Sequence, residues 1–235
     1  MKLKRQKYII QIVIVLTIIC VISFVCMKHE YNVPDEVSDL SVVQDISDGW
    51  ESMFDGKTLA NWEIVQYGGE GIPYVKNGTL ILPMPKGGLM TGVCWVGDSL
   101  PVNNYVIRYE ARRVEGFDIF AALSFPYNDM YASLIFGGWG GIVNGLSCID
   151  GYDASENETT QLFSQTDNLW YPVLLCVTTD SIRAFVGTEQ VVDISTAGKE
   201  LHLRSGLSDT GFTLWSYMST GEIRDICIKK LTSDN

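Results

Sequence analysis

The chain has 235 residues, 46% of them hydrophobic, and a formal net charge of −11. That acidic balance argues against nucleic acid as a partner, because phosphates need clustered Lys and Arg. Six cysteines and two histidines show no CxxC spacing and no close His pair, which argues against a zinc site.

Residues 1–7, MKLKRQK, carry four cations and no acid. Residues 8–27 then form a 20-residue apolar run interrupted only by Gln11, Thr17 and Ser23, with cysteines at 20 and 26. At about 1.5 Å per residue such a helix spans the roughly 30 Å hydrocarbon core. The basic cluster before it predicts a cytoplasmic 1–7, a transmembrane signal anchor at 8–27 and an extracytoplasmic remainder, a single-pass arrangement in the cell membrane. A cleaved signal peptide is the rival reading, although no small-x-small site ends the run. The first 27 residues contribute +4, so the exported part carries −15. Residues 28–47 are polar and acidic with no period that would bury a face, and read as a tether.

Residues 48–232 read as one folded domain. Short runs rich in Val, Ile, Tyr, Phe and Thr alternate with Gly, Asn and Asp punctuation, the pattern of strands and turns. Thr79–Leu82 follows an Asn77-Gly78 turn, and 105–112 alternates apolar with polar as a half-buried strand does. Further strands are expected at 119–125, 131–136, 171–178, 181–186, 189–194, 211–217 and 222–231. No stretch of a dozen residues shows a helical period. So many short strands in one domain predict an all-β fold of two packed sheets, a sandwich or jelly roll. Cys94, Cys148, Cys176 and Cys227 lie in this part, where an exported location permits disulfides and four thiols allow three pairings. Cys176 and Cys227 fall in strand-like runs and are equally readable as small buried hydrophobes.

The segment 136–160, FGGWGGIVNGLSCIDGYDASENETT, sets six glycines around or after Trp139 and crowds four carboxylates and an amide into 150–158. Glycines in strands let another group approach the backbone, and an indole is a stacking surface for a sugar ring. Asp153, Glu156 and Glu158 are the candidate catalytic acid and base, since neighbouring carboxylates push their pKa values apart. Trp139, Asp150, Asn157 and Arg183 are candidate substrate-binding residues. The same acids could instead hold Ca²⁺, a hard cation that prefers oxygen ligands, or sit in a solvated loop. Arg183 and Arg204 could each grip a hydroxyl or carboxylate, or pair with an acid on a solvated face. His202 alternates as an outward strand residue, and Trp95, Trp170 and Trp215 read as core.

The opening of the domain, Gly49-Trp50-Glu51-Ser52-Met53-Phe54-Asp55-Gly56-Lys57-Thr58-Leu59 and then Asn61-Trp62, resembles the start of the 3-keto-disaccharide hydrolase domain family. Residues 75–82 (VKNGTLIL), 104–110, 168–171, 187–193 and 223–231 are similar to successive phrases of that family across nearly the whole domain. The resemblance implies a concanavalin-like jelly roll and cleavage of 3-keto-disaccharides or 3-keto-glycosides. In such sugars the ketone acidifies the C2 hydrogen, so a base, an acid at the leaving oxygen and a group that stabilises the enolate suffice. The chain departs from the family's phrases at 120–125 (FAALSF), which lacks an arginine, and at 134–139 (LIFGGW). A carbohydrate-binding module without turnover, tethered to the membrane, is the alternative from another class. A structural domain that binds a protein at the cell surface is the third.

Overall fold

The computed structural model describes residues 49–205, 207 and 211–231. The expected basic segment, anchor and tether lie outside the described residues. Among the described residues no helix is long and apolar enough to cross a membrane.

The domain is all-β, built from two antiparallel sheets in a jelly-roll sandwich. In the first sheet the order is β13 (Glu189–Ser195), β12 (Ser181–Val186), β11 (Tyr171–Val177), β6 (Tyr105–Gly116), β15 (Ser219–Lys230), β4 (Thr79–Leu82) and β3 (Tyr74–Lys76). The two-residue β1 (Glu51–Ser52) also pairs with β15. In the second sheet the order is β10 (Gln161–Leu162), β9 (Val143–Ser147), β8 (Met130–Gly137), β7 (Ala122–Tyr127), β14 (Thr213–Tyr217), β5 (Met90–Trp95) and β2 (Trp62–Ile64). A single helical turn, α1 (Gly138–Gly141), links β8 to β9.

Side chains alternate across each strand, and this period of two divides the apolar residues between two places. Tyr105, Ile107, Tyr109, Leu123, Leu134 and Leu175 belong to the main core between the sheets. Full burial of each such side chain contributes about 1.5–3 kcal/mol. The hydroxyls of Tyr105 and Tyr109 donate to the carbonyls of Pro126 and Ala121, so neither is buried unsatisfied. On the second sheet Leu214 faces that core, while Trp215 joins Ile119, Ala122, Ile135, Val143 and Ala154 in a separate apolar cluster. That cluster lies on the sheet's outer face, where Met90, Leu207 and Tyr217 pack against it.

The opening phrase is structural: Phe54 and Trp62 are buried, Trp62 Nε1 donates to the Met53 carbonyl, and Asp55 accepts the Lys57 and Thr58 amides in a turn. Four strands of the second sheet, β2, β5, β9 and β10, are not among the expected ones: β2 and β10 are only three and two residues long, and β5 and β9 each carry an internal glycine that reads as a breaker. At Gly92 the glycine is required by close approach, since an added Cβ would lie 2.9 Å from both Leu214 O and Trp215 Cβ. The strand expected from Ile119 begins only at Ala122. Ala121 takes a left-handed φ of 54° and its amide donates to Ser216 Oγ, which turns 118–121 off the sheet. His202 lies outside any strand, its amide donating to the Cys148 carbonyl and its carbonyl accepting from the Cys148 amide.

Cys94, Cys148, Cys176 and Cys227 are all free thiols. Burial pushes the Cys176 thiol up to about 11, partly opposed by Arg183. Because the folded thiol titrates above its ordinary 9.0, its burial stabilises the fold below about pH 9, and that contribution is lost as pH rises toward about 11. In native protein at about pH 8, iodoacetamide is expected to modify the partly exposed Cys227 well before the protonated, buried Cys176. Mass spectrometry of the alkylated peptides checks this, and equally fast labelling of Cys176 would contradict it.

Candidate functional site

The outer face of the second sheet carries a cavity of about 440 Å³, lined by Met90, Asp118, Ile119, Trp139, Arg204, Ser205, Leu207, Trp215 and Tyr217. Three structural devices build it. The first is the period of β14, which turns Trp215 and Tyr217 outward together; Trp215 Nε1 is fixed by donating to Ser124 Oγ at 3.0 Å. The Ser124 hydroxyl in turn meets Ser133 Oγ at 2.8 Å across the β7–β8 pair.

The second device is α1. Trp139 sits there with φ 49° and ψ 54°, between Gly137 at φ 68° and Gly140 at φ 81°. A bulky residue rarely occupies the left-handed region, and such outliers cluster where a side chain must be aimed. The turn is held from behind by buried polar groups. Asn144 Oδ1 accepts from the Gly137 amide at 3.1 Å and from Gln165 Nε2 at 2.7 Å. Arg113, buried, donates from Nε to Asp167 Oδ1 at 2.6 Å and from Nη2 to the Gln165 carbonyl at 3.3 Å.

The third device is the corner 117–119, where β6 gives way to the outer face. Asp118 is 8% exposed. Its Oδ1 accepts from the Ile119 amide at 2.9 Å and its Oδ2 from the Gly140 amide at 3.0 Å, so the carboxylate ties the corner to α1. Ser219 Oγ accepts from the Asp118 amide and donates to its carbonyl, both at 2.9 Å, which fixes the backbone as well. Each carboxylate oxygen has a second lone pair for a ligand hydroxyl. Arg204 completes the lining, with its guanidinium 5.3 Å from the Trp139 ring centre and Nη2 3.4 Å from Asp153 Oδ2.

The residues singled out in the sequence are dispersed by the fold. Trp139 lines the cavity, and Asp153 stands behind Arg204, where it also accepts from Ser147 Oγ at 3.0 Å and Cys148 Sγ at 3.2 Å. Glu156 is exposed, and Glu158 pairs with Lys199. Asp150 is exposed and accepts from the Glu200 amide at 2.8 Å. Asn157 is a strut of its own loop: Nδ2 donates to the carbonyls of Leu146, Tyr152 and Asp153, and Oδ1 accepts the Thr159 amide and hydroxyl. Arg183 pairs with Asp193 across β12 and β13, in the other sheet. Glu156, Glu158, Asp150, Asn157 and Arg183 are not among the residues lining the cavity. Among the described residues no group of three or more His, Cys, Asp or Glu is placed to hold a metal ion, so the run 150–158 offers no gathered ligand set for Ca²⁺.

Sequence reasoning passed over Asp118 as a site residue; Trp215 is core, as expected, and lines the cavity as well. The usable signal at Asp118 was a single acid set between Phe117 and Ile119 just after a long alternating strand.

In fold the chain is similar to several solved jelly rolls. A protein of Parabacteroides distasonis ATCC 8503, provisionally assigned as a glycosyl hydrolase, aligns with a TM-score of 0.52 at 13% identity, over 78% of this chain and 95% of that one. The Crh5 transglycosylase aligns with a TM-score of 0.54 at 8% identity, over 78% of this chain and 84% of that one. The exoplasmic/lumenal domain of VIP36, bound to Ca²⁺ and Man3GlcNAc, aligns with a TM-score of 0.52 at 9% identity, over 80% of this chain and 92% of that one. No family model and no curated protein matches the sequence. At these identities the likeness is one of fold.

Proposed function

We propose that this domain recognises a carbohydrate in the cavity on the outer face of the second sheet, and that the segment 8–27 holds it at the outer surface of a membrane. One observation carries the first part: two indoles, Trp139 and Trp215, and the Tyr217 ring line a single cavity of about 440 Å³ together with the Asp118 carboxylate and the Arg204 guanidinium. Indoles offer broad, rigid apolar faces to the C–H side of a pyranose, and polar groups among them fix its hydroxyls. The saccharide bound to VIP36 and the provisional assignment of the Parabacteroides protein support this reading. In a glycan-binding assay with the full-length protein, Trp139→Ala is expected to weaken binding about fivefold or more, because stacking on an aromatic contributes about 1 kcal/mol or more. Trp139 is 36% exposed, so the substitution should leave the thermal transition nearly unchanged. Undiminished binding by this variant would sink the assignment.

Cleavage of a 3-keto-glycoside is a second reading, favoured by the single carboxylate in the lining. Ordinary glycoside hydrolysis uses two carboxylates roughly 5–9.5 Å apart, and among the described residues Asp118 is the one carboxylate that lines the cavity. Beside a ketone one carboxylate suffices. Asp118 takes the C2 proton, the electron pair forms the C1–C2 double bond, and the C1–O bond breaks as the Tyr217 hydroxyl protonates the leaving oxygen. Water then adds at C1, giving a proton to the Tyr217 oxygen, and the Asp118 carboxyl returns its proton to C2. Release of the aglycone from 3-keto-glucosides of both anomers, abolished in Asp118→Asn, is the expected result. Turnover that survives Asp118→Asn would remove this mechanism.

A further inference from the structure

The cation in the cavity is unusual in a chain of net charge −11, and its bonding leaves it poised for an anion. Arg204 carries five N–H donors in a planar fork. Among the described residues its guanidinium meets one carboxylate, with Nη2 3.4 Å from Asp153 Oδ2, a charge contact longer than a good charge-assisted hydrogen bond. Asp153 is meanwhile engaged at Oδ1 by Ser147 Oγ and Cys148 Sγ. The Arg204 side chain is 54% exposed, and its guanidinium carbon lies over the Trp139 ring, 5.3 Å from the ring centre. Such a contact consumes none of the N–H donors through which a guanidinium binds a carboxylate or sulfate in pairs.

Among the described residues the lining holds one other charged side chain, Asp118. Asp118 is met at both oxygens by backbone amides, from Ile119 and Gly140, which hold the carboxylate against the corner. The lining therefore offers an indole for a sugar ring, a guanidinium beside it, and a carboxylate able to accept a hydroxyl.

From this juxtaposition of Arg204 and Trp139 we propose that the cavity selects an anionic sugar, a residue whose ring stacks on Trp139 while its carboxylate or sulfate group meets the Arg204 edge. The proposal rests on the carbohydrate-binding reading and adds the charge class of the ligand. Arg204 is then the residue that sets specificity, since it rewards the charged sugar over its neutral counterpart.

The test uses the full-length protein and matched 4-nitrophenyl glycosides: the glucoside with the glucuronide, the galactoside with the galacturonide, and the 6-O-sulfo derivative of each neutral sugar. Affinities are measured by calorimetry at low and high salt. For at least one pair the charged member is expected to bind tenfold or more tightly, with the advantage shrinking as salt screens it. Arg204→Gln should reduce the charged member to near the level of its neutral partner and weaken the neutral one far less, while Arg204→Lys should keep part of the difference. The sulfated arm decides whether the carboxylate or the sulfate ester is preferred. Equal binding within every pair, or a loss in Arg204→Gln shared equally by neutral and charged sugars, overturns the proposal while leaving the carbohydrate reading intact. Failure of every glycoside to bind overturns both.

Discussion

Gly116→Ala is expected to destabilise the domain by about 3 kcal/mol or more, the largest effect of any single methyl group in the region of the cavity. Gly116 ends β6 with φ +94°, a conformation that alanine adopts only under strain. Space is the stronger obstacle. An added Cβ would lie 2.3 Å from Met218 O and 2.5 Å from Ser219 Cα, and both are backbone atoms that cannot rotate away. Gly116 pairs directly with Ser219, so relief requires parting β6 from β15 at the residue whose hydroxyl fixes Asp118. For a domain of this size each kcal/mol lowers the melting temperature by about 2–4 °C, so a fall of roughly 10 °C is predicted in thermal unfolding. Saccharide binding should weaken as well, because the displaced corner carries the carboxylate. A variant that melts within about 2 °C of the parent would show that the corner yields more easily than its packing implies.

Arg113→Met should cost about 2–4 kcal/mol and loosen α1 together with the loop that follows β10. Arg113 is 7% exposed, and methionine conserves much of its volume, so the loss is electrostatic more than steric. The guanidinium reaches the carbonyls of Asp118 and Gln165 and the Asp167 carboxylate at once, and it lies 5.4 Å from the Phe120 ring. Removing it leaves the buried Gln165 carbonyl without that donor, whereas Asp167 is half-exposed and recovers water. That escape keeps the cost below the figure for a fully buried pair. Arg113→Lys should fall between, because an ammonium cannot serve three partners set around a planar fork. Equilibrium denaturation of both variants checks the order, and an Arg113→Met domain as stable as the parent would contradict it.

The sheets were legible because the alternation in 105–112, 181–186 and 189–194 records burial on one side only. Thr79–Leu82 and Ser181–Val186 have the expected bounds, since turn residues and apolar period agree there. The site was less legible for a physical reason. The cavity takes Asp118 from a corner, Trp139 from a strained turn, Trp215 from a strand and Arg204 from a loop, and only the crossing of those elements brings them together. Local density of acids drew attention to 150–158, but a loop rich in Asp, Asn and Glu also needs side chains to bond its own backbone. Asn157 does that with every polar atom it has. Trp139 was legible because its glycine neighbours announce an unusual backbone. Trp215 is buried as its strand setting implies, and nothing in the sequence marks that it also lines a cavity.

Six tryptophans give the most direct test of where a saccharide sits. Trp139 and Trp215 line the cavity, whereas Trp170 lies against Arg112 and Arg224 of the first sheet, and Trp50 against Arg108 there. The decisive measurement is a titration of ¹⁵N-indole-labelled full-length protein with the tightest-binding glycoside, following the six indole N–H signals assigned by single Trp→Phe substitutions. Saccharide recognition on the outer face of the second sheet predicts that the Trp139 and Trp215 signals move together along one saturation curve while Trp50 and Trp170 stay fixed. Movement of Trp50 or Trp170 with Trp139 and Trp215 unchanged would place the site on the other sheet and contradict the account.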